Sequence, residues 1–131
     1  MIVVDSNVLA YLYLPGDYTE AAERLYQRDT EWHAPILWRS EYRNILAGYM
    51  RRGLLTLGQA YAIQCEAEAL LDGAEHEPDS KRVLELVKAS DCSAYDCEFV
   101  ALAETFGVTV VTMDTKLIKA FPKIAKPLIE M

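Results

Sequence analysis

The sequence predicts an α/β fold in which short strands alternate with helices around a mostly parallel sheet. Three observations predict it. Ile2–Val4 is a β-branched run without polar alternation, the pattern of a strand covered on both faces. Residues 108–112, VTVVT, are entirely β-branched. Between these runs lie segments with apolar residues at helical spacing, several closed by glycine or proline. Strands separated by helices join in parallel through right-handed crossovers. The chain has 131 residues, which fits a single domain spanning 1–131.

Each element follows from local chemistry. Residues 7–14 form a helical turn or two, stopped by Pro15-Gly16. Thr19 is the expected N-cap of the next helix, with Ala22, Leu25 and Tyr26 at helical spacing behind it. Residues 33–37 make a short strand, and Pro35 within it points to a weak or edge position. Residues 37–52 are helical, with Gly53 suited to the C-terminal cap. Thr56 and Gln59 fit a capping box, followed by a stripe of Ala60, Ile63, Ala67 and Leu70 that ends at Gly73. Residues 75–77 are a short strand despite a poor composition for one. Residues 80–89 form a helix with Val83, Leu84 and Val87 facing inward. The helix 93–106 stops at Gly107, the strand 108–112 follows, and a short helix runs to about Ala120. An edge segment over 125–128 completes the chain.

Composition narrows the function. An apolar share of 52% is enough for one real core, and no run of roughly 18 apolar residues exists, so no membrane span is expected. The start, MIVVDSNV, has no basic region before its first Asp and does not read as a signal peptide, so a cytoplasmic location is expected. Cys65, Cys92 and Cys97 are odd in number and form no CxxC pair, which points to reduced, mostly packing thiols. His33 and His76 are far apart in sequence with no Cys or His at ligand spacing, so a zinc site is unsupported and both are expected as strand or loop residues. The net charge of −7 excludes a module that coats nucleic acid by charge alone. An acidic protein can still act on phosphates if bound divalent cations reverse the charge locally.

Four acidic positions stand out. Asp5 and Asp114 follow the two best strands, and in open parallel sheets ligand sites form outside the strands' carboxyl ends. Either could equally be a helix cap. Glu41 shares an inward helical stripe with Leu37 or Trp38 before it and Ile45 after it, where a carboxylate is costly unless compensated. A salt bridge or a stripe-edge position would also account for it. Asp96 continues into Phe99, Val100 and Ala103, yet Ser93-x-x-Asp96 is also a capping box. Hard divalent cations take several carboxylate oxygens, and such a cation would relieve a cluster that otherwise repels itself. No Ser-His-Asp arrangement, P-loop or GxGxxG competes.

The segments IVVDSNVLAYL, SEYRNIL, SAYDCEFVALAE and VTMDTKL, in this order and spacing, resemble the PIN-domain family and its small VapC-like toxin branch. The resemblance implies a sheet of about five parallel strands with helices on both faces. It implies an Mg²⁺- or Mn²⁺-dependent endoribonuclease whose metal site and catalytic set are Asp5, Glu41, Asp96 and Asp114, leaving a 5′-phosphate and a 3′-hydroxyl. Ser6 and Asn7 match positions that support the first acid, Asp5, and Thr112 resembles the hydroxyl residue near the last, Asp114. An RNA substrate, an antitoxin protein and a homodimer are the implied partners. Tyr95, Cys97 and Glu98 depart from the small apolar residues usual around the third acid, and the helical angle of Glu98 points it outward.

Arg39, Arg43, Arg51, Arg52 and Lys116 are candidate phosphate contacts, with solvated surface charge the favoured reading of each. Tyr11, Tyr13, Trp38 and Tyr42 are stacking candidates for single-stranded RNA, with core packing the competing reading. Three alternatives stand beside the toxin ribonuclease. One is a phosphatase of the haloacid dehalogenase type, which Asn7 argues against because that chemistry usually has a second Asp there. The others are an RNA-processing nuclease and a non-catalytic interaction module.

Overall fold

The computed structural model describes all of residues 1–131. Five strands form one sheet: β1 (Ile2–Val4), β2 (Trp32–Pro35), β3 (Glu75–His76), β4 (Val110–Thr112) and β5 (Ala125–Pro127). Their order is β3-β2-β1-β4-β5, and every neighbouring pair is parallel. Seven helices connect them: α1 (Ser6–Tyr13), α2 (Thr19–Arg28), α3 (Trp38–Arg51), α4 (Leu57–Leu70), α5 (Ser80–Lys88), α6 (Ala94–Phe106) and α7 (Thr115–Ala120). A 3-10 turn, Leu128–Glu130, ends the chain. No helix is long and apolar enough to cross a membrane.

The chain leaves β1 toward β2 and β3, then returns to the other side of β1 for β4 and β5. The order therefore reverses between β1 and β4, the place where ligands bind in open parallel sheets. All three residues of β1 and of β4 are buried, as their unalternating sequences predict. Around them a 31-residue apolar cluster includes Trp32, Trp38, Tyr42 and Phe99. Trp38 and Tyr42 are wholly enclosed, which makes both of these stacking candidates core residues. Cys92 and Cys97 are buried free thiols, while Cys65 is free and exposed.

Several local expectations need correction. β2 is an interior strand, paired on both sides. Pro35 is tolerated because it lies beyond the last residue paired with β1, and on the β3 side the N–H groups of Ala34 and Ile36 supply the bonds. Thr19 is the first residue of α2 and not its cap. Its hydroxyl donates to the Leu14 carbonyl and accepts from Gly16 N–H, closing the turn before the helix. Val83 is buried and Val87 packs against the core as expected, but Leu84 is 64% exposed and Leu86 faces inward in its place. The capping box of Thr56 and Gln59 forms in full, and Gly53, Gly73 and Gly107 take the left-handed conformation that ends their helices.

The two histidines, expected to lack partners, have each other. His33 Nδ1 and His76 Nε2 lie 2.8 Å apart across β2 and β3, and both rings pack against Phe106. One proton bridges two imidazole nitrogens, and a second would find no acceptor there. Glu31 lies on the other side of His33, at 4.0 Å. Burial holds His76 below the usual histidine range, and His33 lowers it further. The unfolded chain therefore takes up this proton first as pH falls, so the stability from neutral His76 is lost below about 6.5. The denaturation midpoint of the wild type is expected to fall more steeply than that of His76→Gln between about pH 6.5 and 5. Equal slopes in the two proteins would show that His76 does not titrate with folding.

Candidate functional site

Because every strand runs the same way, a helix that follows a strand begins at the carboxyl edge of the sheet. The helix α6, which leads back into β4, begins there too, since its Asp96 lines the same cleft as Asp5 and Asp114. All four acidic residues sit at such helix starts. Asp5 is the N-cap of α1, Glu41 and Asp96 lie in the first turns of α3 and α6, and Asp114 is the N-cap of α7. Helix N-termini favour carboxylates, which offsets part of the cost of gathering them.

The four line one cleft of about 460 Å³, together with Ser6, Asn7, Tyr11, Asn44, Ile45 and Met113. No lysine, arginine or histidine lines it. The capping explanation applies unevenly. Asp114 does cap α7, its Oδ1 accepting from the N–H groups of Lys116 at 2.9 Å and Leu117 at 3.4 Å. Asp5 makes no side-chain cap, so capping does not account for its carboxylate. Ser93 caps α6 by accepting from the Asp96 N–H at 3.1 Å.

Two buried hydroxyls fix the carboxylates. Thr112 Oγ1 donates to Asp5 Oδ2 at 2.7 Å and accepts the Asp114 N–H at 3.0 Å, tying the end of β1 to the end of β4. Ser6 Oγ donates to Glu41 Oε1 at 2.8 Å. The Ser6 hydroxyl thus serves Glu41, while only its backbone N–H acts on Asp5 beside it. Asn7 is exposed on the cleft wall. Burial is the main cause that pushes the Asp5 carboxyl above the usual range, and repulsion from Asp96 and Asp114 adds to it against the bonds from Thr112 and Ser6. Glu41 is raised by burial, then by Asp5, Asp96 and Glu98, with Ser6 opposing. Asp96 is raised by burial and by Asp114, partly offset by Ser93 and Lys116. Burial and mutual repulsion thus act together.

The donor set is all oxygen and anionic, which fits a hard divalent cation and not zinc. No three acidic, His or Cys side chains enclose a cation by themselves. Mg²⁺ keeps several waters and binds few protein groups directly, so it would need only one or two of these carboxylates as ligands.

Other expected contributors fall elsewhere. Arg39 is held by Glu75, at 2.6 and 2.7 Å, and by Glu68 at 2.9 Å, so it is a structural link between α3, α4 and β3. Arg52 lies over the Tyr49 ring at 4.7 Å. Lys116 is exposed, close enough to Asp96 to lower its pKa. Glu98 is half-buried, lining a separate groove with Glu77. Tyr11 reaches the cleft wall, whereas the Tyr13 hydroxyl turns to the Glu66 carbonyl. Asn44 and Met113 were not anticipated. Asn44 lies three residues after Glu41 on α3, a helical spacing that could have revealed it.

A model of the PIN domain matches residues 2–125. Over 129 residues the chain is 31% identical to Ribonuclease VapC3 of Pyrobaculum aerophilum, covering 96% of this chain and 98% of that one. The fold is similar to the crystal structure of FitAcB from Neisseria gonorrhoeae, with a TM-score of 0.75 and 19% identity over the full length of both chains. It is also similar to a toxin-antitoxin complex from Klebsiella pneumoniae, with a TM-score of 0.71 and 14% identity over 98% of each chain.

Two outcomes follow from this geometry. Thr112→Val keeps the shape but removes the donor to Asp5 and the acceptor for Asp114, and is expected to cost about 1.5–3 kcal/mol in urea denaturation. A raised carboxyl makes the folded state hold its proton longer than the unfolded state. Its contribution to stability is therefore lost as pH rises from the ordinary carboxylate range through the raised value. In EDTA, the stability of Asp5→Asn relative to the wild type is expected to improve as pH rises from about 4 to 7. A difference that stays constant across that range would contradict the raised pKa.

Proposed function

This chain belongs to the PIN-domain family, and we propose that it is a divalent-metal-dependent endoribonuclease, the toxin of a toxin-antitoxin pair. The observation that carries the reading is the cleft: four carboxylates at helix starts, with no basic side chain to neutralise them. The ribonuclease name of the 31%-identical relative supports the activity. The toxin-antitoxin complex among the fold neighbours supports a protein antitoxin as partner. A homodimer and the cytoplasm are the expected state and location.

Asp5, Glu41 and Asp96 would hold Mg²⁺ or Mn²⁺, with Asp114 the weakest contributor because one of its oxygens already caps α7. When bound, the cation neutralises charge building on the phosphate and makes water more acidic. The protein's own share is orientation. Thr112 takes Asp5 Oδ2 and Ser6 takes Glu41 Oε1, which leaves the other oxygen of each carboxylate without a side-chain partner. Ile45 and Met113 give the cleft an apolar wall, and the Asn7 and Asn44 side chains offer it neutral donors and acceptors. An acidic surface of net charge −7 repels RNA, so association depends on the cation as well as on the chemistry.

The test is cleavage of a mixed structured RNA pool with Mg²⁺, Mn²⁺ or EDTA. Cutting by the wild type is expected with either metal and not in EDTA. Asp5→Asn and Asp96→Asn are expected to abolish it while remaining folded, and Ser6→Ala to reduce it about 10–100-fold. Retained cutting in the aspartate variants would overturn the site. A folded wild type that neither cuts nor binds metal would make the chain an interaction module.

A further inference from the structure

A second groove opens off the acidic cleft. It has a volume of about 270 Å³ and runs from α1 over the Pro15-Gly16 turn to α3, and Asn7, Tyr11 and Ile45 line both spaces. Tyr11, Tyr18 and Tyr49 are its aromatic walls. The Tyr11 and Tyr18 rings are 5.1 Å apart and tilted by 48°, and Tyr18 is 38% exposed. The exposed Arg52 guanidinium lies over the ring of Tyr49, one of the groove's walls. These tyrosines differ from Trp38 and Tyr42, which the core encloses entirely.

Resting on the reading of the chain as a ribonuclease, we propose that this groove is a subsite for one unpaired nucleobase of the RNA, stacked on the Tyr11–Tyr18 pair beside the phosphate held in the cleft. Three features favour a base. The groove is continuous with the carboxylates, so a strand whose phosphate sits there places its neighbouring base in the groove. Half-exposed aromatic rings present flat faces, and every base has a π-face to stack on them. The Asn7 amide, shared by both spaces, can donate to and accept from a base edge. Bases paired in a duplex cannot enter, so the subsite selects loops and single strands.

The test uses a single-stranded RNA carrying 2-aminopurine, with Ca²⁺ in place of Mg²⁺, and reads affinity by fluorescence. The proteins are the wild type, Tyr18→Leu and Tyr18→Phe, each checked by thermal melting. The wild type is expected to quench the probe, Tyr18→Leu to bind about ten-fold more weakly, and Tyr18→Phe to recover. The affinity for a duplex of the same sequence is expected to be unchanged by either substitution. In cleavage, Tyr18→Leu is expected to raise KM while largely keeping kcat. Affinities within two-fold across all three proteins, or no binding of single strands by the wild type, would overturn the subsite and leave the groove to a protein partner. Asp96→Asn, assayed in parallel for cleavage, reports on the nuclease reading independently of the tyrosine readout.

Discussion

The polarity of the sheet is the constraint on which the rest depends. With all five strands parallel, the starts of α1, α3, α6 and α7 gather at one edge. The reversal of strand order between β1 and β4 opens a crevice there. Four acids at four helix starts, separated by up to 109 positions in sequence, therefore line one cleft. An antiparallel strand among them would send a helix start to the opposite edge and dismantle the set.

That convergence has an electrostatic cost. Burial and mutual repulsion push Asp5, Glu41 and Asp96 in the same direction, toward holding protons. The fold answers with helix N-termini and with the hydroxyls of Ser6 and Thr112, but with no cation among the lining side chains. The chain's own side chains therefore leave the cleft without a compensating positive charge. Arg39, one of the candidates on α3, is instead committed to Glu75 and Glu68, where it holds β3 and α4 to that helix.

Much of this was legible in the sequence, and the residues show why. The strands of Ile2–Val4 and Val110–Thr112 announce themselves because buried parallel strands are continuously β-branched. The acids that follow them are placed by adjacency alone. Glu41 and Asp96 required helical phase, which the apolar stripes supply. What escaped was pairing across the sheet and choice of partner. The contact of His33 with His76 depends on the register of β2 against β3, which no local pattern encodes. The partner of Ser6 is Glu41, 35 residues away, and the sequence suggested its neighbour. Leu84 is exposed because the inward face of α5 is set by α6, not by hydrophobicity. Pro35 reads as an edge signal only if β1 extends past it, and β1 is too short to do so.

The central claim is that the four carboxylates form a strained, cation-completing site. The most direct measurement is thermal melting of the wild type and Asp96→Asn against increasing Mn²⁺ at constant ionic strength. The account predicts a rise in the wild-type melting temperature that saturates with Mn²⁺ and is largely absent in the variant. No rise, or an equal rise in both proteins, would contradict it.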